Sequence, residues 1–215
     1  MVQLDLQTQL RINAERLQAS LLELAKIGAT QKGGVCRLAL TDMDQQGRHW
    51  VINKAKSLGL SVSVDQIGNT FMRRAGRSAH LPPVMTGSHI DTQPTGGKYD
   101  GNYGVLAGLE VIATLNEHGI ETEAPIEIVF WTNEEGSRFT PVMMGSGVFA
   151  GAFSLEHAYS RTDQAGKTVR DELERIGFLG KDKIGEHPCG AYFEAHIEQG
   201  PVLEHHDITI GVVPA

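Results

Sequence analysis

The chain is 215 residues long, with 40% hydrophobic residues and a formal net charge of −7. That length suffices for one α/β domain with a sizeable core. The acidic balance excludes a nucleic-acid surface, because no Lys/Arg cluster could neutralise a run of phosphates, and the one basic spot (Arg73, Arg74, Arg77) reads as a solvated strand end.

In chain order, Leu10, Leu17, Leu21, Leu24 and Ile27 recur at helical spacing and predict an amphipathic helix that stops near Gly28. Gln31–Leu40, with Gly33-Gly34, reads as a loop. A second helix is expected from about Asp42 to Leu58, ending at Gly59. Leu60–Ile67 alternates apolar and polar residues, and Gly68-Asn69 turns the chain into Thr70–Arg74, a hairpin signal. A buried strand at about Pro83–Gly87 is followed by a helix over Gly104–His118, with Val105, Leu109 and Ile112 on one face. Ile126–Thr132, apolar but for Glu127 and the closing Thr132, is a β-rich run of the kind found in a central strand covered on both faces. Helices are expected between Gly147 and Ala158 and around Val169–Ile176, and strands at Ala191–His196 and Ile208–Val213. Strands alternating with helices through the middle predict an α/β fold with a mostly parallel mixed sheet and flanking helices.

No apolar run approaches the roughly 20 residues that span a bilayer. The early charges Asp5, Arg11 and Glu15 speak against a signal peptide. Cys36 and Cys189 are isolated and read as reduced thiols rather than a disulfide or metal ligands. The expectation is a soluble, cytoplasmic protein with a small-molecule substrate and neither nucleic acid nor membrane as partner.

Chemistry concentrates in two polar bursts, each just past an expected buried strand, where open α/β sheets collect ligands and metals. The first is GSHIDTQPTGGKYDG. His89 and Asp91, two apart, suit a metal-bound imidazole with a carboxylate orienting the ring; taken alone, the pair reads as a capping Asp beside a surface His. Asp100 shifts that balance. It sits among glycines that free the backbone for tight turns, and a carboxylate can bridge two cations held ~3.5–4 Å apart. A helix-capping role for Asp100 is compatible with this. The second burst, WTNEEGSRF, carries Glu134 and Glu135. Adjacent carboxylates repel unless a cation or shared proton relieves them. One assignment gives Glu135 to a metal and Glu134 to the attacking water as general base; the alternative is a solvated acidic turn. His196, in YFEAHIEQGP, becomes a ligand candidate only because the others already gather at strand ends. Gln199 is a candidate for hydrogen-bonding a polar substrate group, or a plain turn residue. His80, His118, His157, His187, His205 and His206 read as exposed polar residues. Oxygen and imidazole ligation without thiolate suits zinc, with manganese, cobalt or nickel as alternatives.

Three motifs, GSHIDTQPTGGKYDG, FWTNEEGSRF and FEAHIEQGPVLE, resemble across nearly the whole chain the hydantoinase/carbamoylase family of dinuclear metal amidohydrolases. That family includes N-carbamoyl-L-amino-acid hydrolases, β-ureidopropionases and allantoate amidohydrolases, and is related to aminoacylase-type zinc peptidases. The resemblance implies a zinc-exopeptidase-like catalytic domain and two divalent metal ions. His89, Asp100 and His196 would hold one ion; Asp100 would bridge to a second, also held by Glu135; Glu134 would be the general base with Asp91 behind His89; and Gln199 would face substrate. It further implies hydrolysis of the carbamoyl C–N bond of N-carbamoyl-L-amino acids to amino acid, carbon dioxide and ammonia. Allantoate, acyl amino acids or peptides are the alternative substrates, and a catalytically silent fragment the contrasting reading. Members resemble two-domain homodimers about twice this long, with an inserted lid and dimerisation domain and a further His near the C-terminus. The expectation is therefore that residues 1–215 form the N-terminal part of the catalytic domain, with the lid domain and C-terminal catalytic segment absent and the sheet edge unpaired.

Overall fold

The computed structural model describes residues 10–213; Asp5, invoked against a signal peptide, lies outside them. The chain folds into a five-stranded sheet in the order β1-β2-β4-β3-β5, where β1 is Ser61–Val64, β2 Thr70–Arg74, β3 Val84–His89, β4 Ile126–Trp131 and β5 Ala191–Phe193. β1 pairs antiparallel with β2, and β2 antiparallel with β4, while β3 runs parallel to both β4 and β5. Only β2 is therefore reversed, which bears out the mostly parallel mixed sheet. The Gly68-Asn69 turn holds because Gly68 adopts φ +83 and Asp65 accepts from the Asn69 backbone N–H at 2.8 Å.

Helix α1 (Ala14–Leu24) starts where the Asn13 side chain accepts from the Arg16 backbone N–H, and α2 (Asp42–Ser57) where Thr41 accepts from Asp44. With α3 (Asn102–Glu117) they cover one face of the sheet, where Ile128 and Phe130 of β4 meet Leu24, Val51, Leu106 and Leu109 in the main core. Burying each such side chain contributes about 1.5–3 kcal/mol. The opposite face carries a much smaller cluster of Phe71, Met85, Val129 and Trp131, capped by Phe149.

Four expectations are corrected. The helix expected between Gly147 and Ala158 is two short helices, α4 (Met144–Phe149) and α5 (Leu155–Tyr159). Gly151 at φ +77 breaks the first, and Ser154 caps the second. Ile208–Val213 forms no strand: its alternation finds no neighbouring edge among the described residues, and Ile210 and Val212 are 77% and 89% exposed. His187 is not a plain exposed residue. Its ring stacks on Phe71 at 3.9 Å between centroids and its Nε2 lies 2.6 Å from the buried Glu127 carboxylate. Arg73 and Arg74 are half-buried rather than solvated, because Arg73 pairs with Glu127 at 2.9 Å and Arg74 donates to the Ile120 carbonyl at 2.6 Å. The helix expected around Val169–Ile176 is α6 (Val169–Arg175), and α7 (Val202–His205) follows β5. Cys36 and Cys189 are free. No helix among the described residues is long and apolar enough to cross a membrane.

Candidate metal centre

Register decides what meets at the sheet's rim. His89, the last residue of β3, pairs with Trp131, the last of β4, so the loops bearing Asp91 and Glu134-Glu135 leave side by side. Asp100 sits immediately before α3, and His196 lies three residues beyond β5. All emerge at the C-terminal ends of the parallel strands.

There the structure brings His89, Asp100 and His196 together, one ligand atom from each lying within 4.8 Å of the others. Asp100 Oδ1 is 3.3 Å from His196 Nε2 and 3.7 Å from His89 Nε2. Four donors at 2.0–2.1 Å around a tetrahedral ion stand roughly 3.3–3.4 Å apart, so both Asp100 contacts already lie within tenths of an ångström of that spacing. Asp100 does not cap α3: Gly101 holds the N-cap position and makes no side-chain cap. Instead its Oδ2 accepts from the Gln199 amide, while Oδ1 is buried without a hydrogen-bond partner. A buried oxygen left unpaired between two imidazoles fits a cation, which would supply the missing partner. Gly101 makes the approach feasible. Its φ is +64, and a Cβ there would lie 2.5 Å from His89 Cδ2 and Cε1 and closer still to Nε2.

Both imidazoles present Nε2 because Nδ1 is engaged. His89 Nδ1 lies 2.9 Å from the Asp91 carbonyl and His196 Nδ1 2.8 Å from the Ile197 carbonyl. Asp91 thus orients the ring through its main chain. Its carboxylate stands 3.9 Å from Nδ1 and accepts the backbone N–H groups of Glu134 and Glu135 at 3.2 Å each. Asp91 therefore ties the two bursts together. Glu134 reaches the centre, with Oε2 3.5 Å from His89 Nε2. Glu135 stands outside the three-residue group and accepts from Gln93 at 3.0 Å. The adjacent carboxylates thus take different partners, on a loop that begins at Asn133, whose φ of +53 Asn tolerates and whose amide is held by the Phe139 carbonyl at 2.7 Å.

The charges respond to this crowding. Burial alone would lower the His89 imidazole, but the Asp100 contact and the charges of Asp91 and Glu134 raise it to about 9. Burial raises the Asp91 carboxyl to about 6. The contact with His89 pulls Asp100 down, whereas burial, reinforced by Glu135 and Glu194, pushes Glu134 up. A carboxylate raised toward neutrality beside a cation site can take a proton and give it back.

Sequence reasoning missed the scaffold. Arg37, wholly buried, donates to the carbonyls of Ile90, Leu24 and Ile27 and to Asn102, bolting the β3 exit to α1 and the start of α3. Asn69, read only as a turn residue, accepts from the Thr132 backbone N–H at 3.0 Å and donates to Gly145, fixing the loop that carries Glu134. A lone Arg in a loop gives no sequence signal of burial.

A model of peptidase family M20/M25/M40 matches residues 85–213. The chain belongs to that family, whose members depend on metal. It is 53% identical over 203 residues to an N-carbamoyl-L-amino-acid amidohydrolase of Rhizobium meliloti, covering 94% of this chain and 49% of that one. A ureidoglycolate hydrolase of Arabidopsis thaliana is 37% identical over 221 residues, covering 99% and 46%. The crystal structure of a hydantoinase/carbamoylase family amidase from Burkholderia multivorans superposes with a TM-score of 0.91 at 61% identity, covering 92% of this chain and 48% of that one. These matches bear out the resemblance to the hydantoinase/carbamoylase amidases. The chain spans about half the length of the curated relatives it matches.

Proposed function

We propose that this chain is the metal-binding part of an amidohydrolase that cleaves the carbamoyl C–N bond of N-carbamoyl-L-amino acids. The observation that carries the reading is the unpartnered buried oxygen of Asp100, set between two imidazole Nε2 atoms with Glu134 alongside. His89, Asp100 and His196 would hold a divalent ion, zinc being the best match to two imidazoles and a carboxylate. A second ion would share Asp100 and take Glu135, once that side chain turns from Gln93. When bound, such ions supply Lewis acidity toward a carbonyl oxygen and acidify water.

Glu134 then does the proton work. Its carboxylate takes a proton from the attacking water as the new C–O bond forms at the carbamoyl carbon. It returns that proton to the departing amino-acid nitrogen as the C–N bond breaks. The carbamate released decays to carbon dioxide and ammonia, which balances the hydrolysis. Asp91 holds the Glu134 backbone and, through its carbonyl, the His89 ring, so base and ligand keep their spacing. Gln199, in reach of Asp100, would hand its amide to substrate. The lid, the dimer contact and the remaining ligand of a homodimeric enzyme would come from polypeptide outside these residues, a reading supported by the half-length coverage.

The test is ammonia release by the zinc-loaded chain with N-carbamoyl-L-amino acids, ureidoglycolate, allantoate, acyl amino acids and dipeptides. Turnover of the first supports the proposal. The plant ureidoglycolate hydrolase relative favours ureidoglycolate as the second reading, and turnover confined to it would move the assignment there. Amine release from peptides without ammonia would refute the ureido chemistry. One weakly bound ion with no turnover would favour a silent fragment.

A further inference from the structure

From Glu194 to Val213 no residue is buried, and the apolar packing beside His196 is limited to the half-covered Ile197, which lines a groove with Leu17 and Leu21. Yet its Nε2 lies 3.3 Å from Asp100 Oδ1. Among the described residues, the side-chain hydrogen bonds that tie this segment to the sheet outside the metal centre all run to a single carboxylate. Glu194 Oε1 accepts from the hydroxyl of Ser88 at 2.5 Å, and Oε2 accepts from the Tyr192 hydroxyl at 2.7 Å. Ser88 is fully buried and adjoins His89. The Tyr192 hydroxyl in turn accepts from the Trp131 indole N–H at 2.9 Å, so the chain of bonds reaches the end of β4. Next along the segment, the Ala195 carbonyl passes so close to α3 that a Cβ at Gly104 would lie 2.6 Å from its oxygen.

We propose that Glu194 is a positioning residue that sets His196 against Asp100 by clamping the strand-end segment to Ser88 of β3 and Tyr192 of β5. The inference rests on the reading of His196 as a ligand. Glu194 lies outside the His89, Asp100 and His196 group. It fixes the backbone two residues before the imidazole, so the ligand is presented before an ion arrives. Without it, ordering the exposed segment must be offset by the binding energy of the ion, and affinity falls.

The experiment is a zinc titration against a chromophoric chelator on the full chain, with wild type, Glu194→Ala, His196→Ala and the double variant, alongside circular dichroism and melting of the metal-free proteins. Glu194→Ala is expected to weaken zinc roughly 10–100-fold, and His196→Ala at least as much. The double variant is expected to bind no more weakly than His196→Ala alone, since Glu194 acts through that imidazole. Glu194→Gln, which keeps one acceptor oxygen for Ser88, should recover part of the loss. Wild-type affinity in Glu194→Ala, or losses that add in full, overturn the proposal. Wild-type affinity in His196→Ala would instead overturn the ligand reading itself. Should Glu194→Ala not fold, Tyr192→Phe, which removes one hydroxyl from the clamp, enters the same cycle, and unchanged zinc affinity there overturns the proposal equally.

Discussion

Gly101→Ala tests how tightly the backbone is packed against the candidate ligand. The backbone at 101 adopts φ +64 with ψ −46, outside the left-handed helical region, a conformation that costs an L-residue on the order of 1–3 kcal/mol. The larger effect is steric. The added methyl would sit 2.5 Å from two ring atoms of His89, where ordinary contact begins at 3.4 Å. Ring and loop must therefore part by about 1 Å, and the ring is the softer element because its Nδ1 is held by one bond to Asp91. A retreat of that size takes His89 Nε2 from 3.7 Å to well over 4 Å from Asp100, beyond the spacing that two donors to one ion share. Zinc affinity measured by chelator competition should fall by at least ~100-fold. The metal-free melting temperature should drop by several degrees, as expected of ~1–3 kcal/mol. Gly97→Ala, where a methyl meets nothing within 4 Å, is the control and should bind as wild type. Zinc affinity within about twofold of wild type in Gly101→Ala would refute the reasoning, because the crowding drawn from the geometry would then be absent.

Three further outcomes are expected. Arg48→Met leaves Asp44 buried and unpaired in α2, where the two now meet at 2.9 Å, and should cost about 3–5 kcal/mol by urea denaturation; a loss under ~1 kcal/mol would contradict the pairing. Glu134→Gln should keep zinc but lower ammonia release roughly 100–10,000-fold in whichever assembly turns over; equal rates would remove Glu134 from the proton path. Because the His89 imidazole of the metal-free chain holds its proton up to about 9, zinc uptake at pH 7 should release protons and strengthen as pH rises toward that value. Calorimetry in buffers of different ionisation enthalpy measures this, and buffer-independent heats would contradict it.

Most of the site was legible because its chemistry sits in short stretches at strand ends. Ile126–Trp131 is apolar but for Glu127, so the polar burst after it had to lie at the rim, and the structure puts Glu134 there. Asp100 was legible as a charged residue among glycines, although the capping role weighed beside ligation is absent. Other features lay beyond local pattern. The alternation of Ile208–Val213 promised a strand, but a strand exists only where another edge accepts its hydrogen bonds. His187 looked like a lone polar residue because neither Phe71 nor Glu127 is near it in sequence. Arg48 did carry a signal, an Asp four residues before it on a helix, yet that spacing marks surface pairs far more often than a buried one. Glu194 stood in plain view within the third motif, and only the fold shows that its two oxygens reach Ser88 and Tyr192.

The most direct test is zinc-edge anomalous diffraction from zinc-soaked crystals. A peak within about 2.0–2.2 Å of His89 Nε2, His196 Nε2 and an Asp100 oxygen is the predicted result. A zinc peak bound by none of the three, or crystals that take up zinc only at surface histidines such as His205 and His206, would contradict the account.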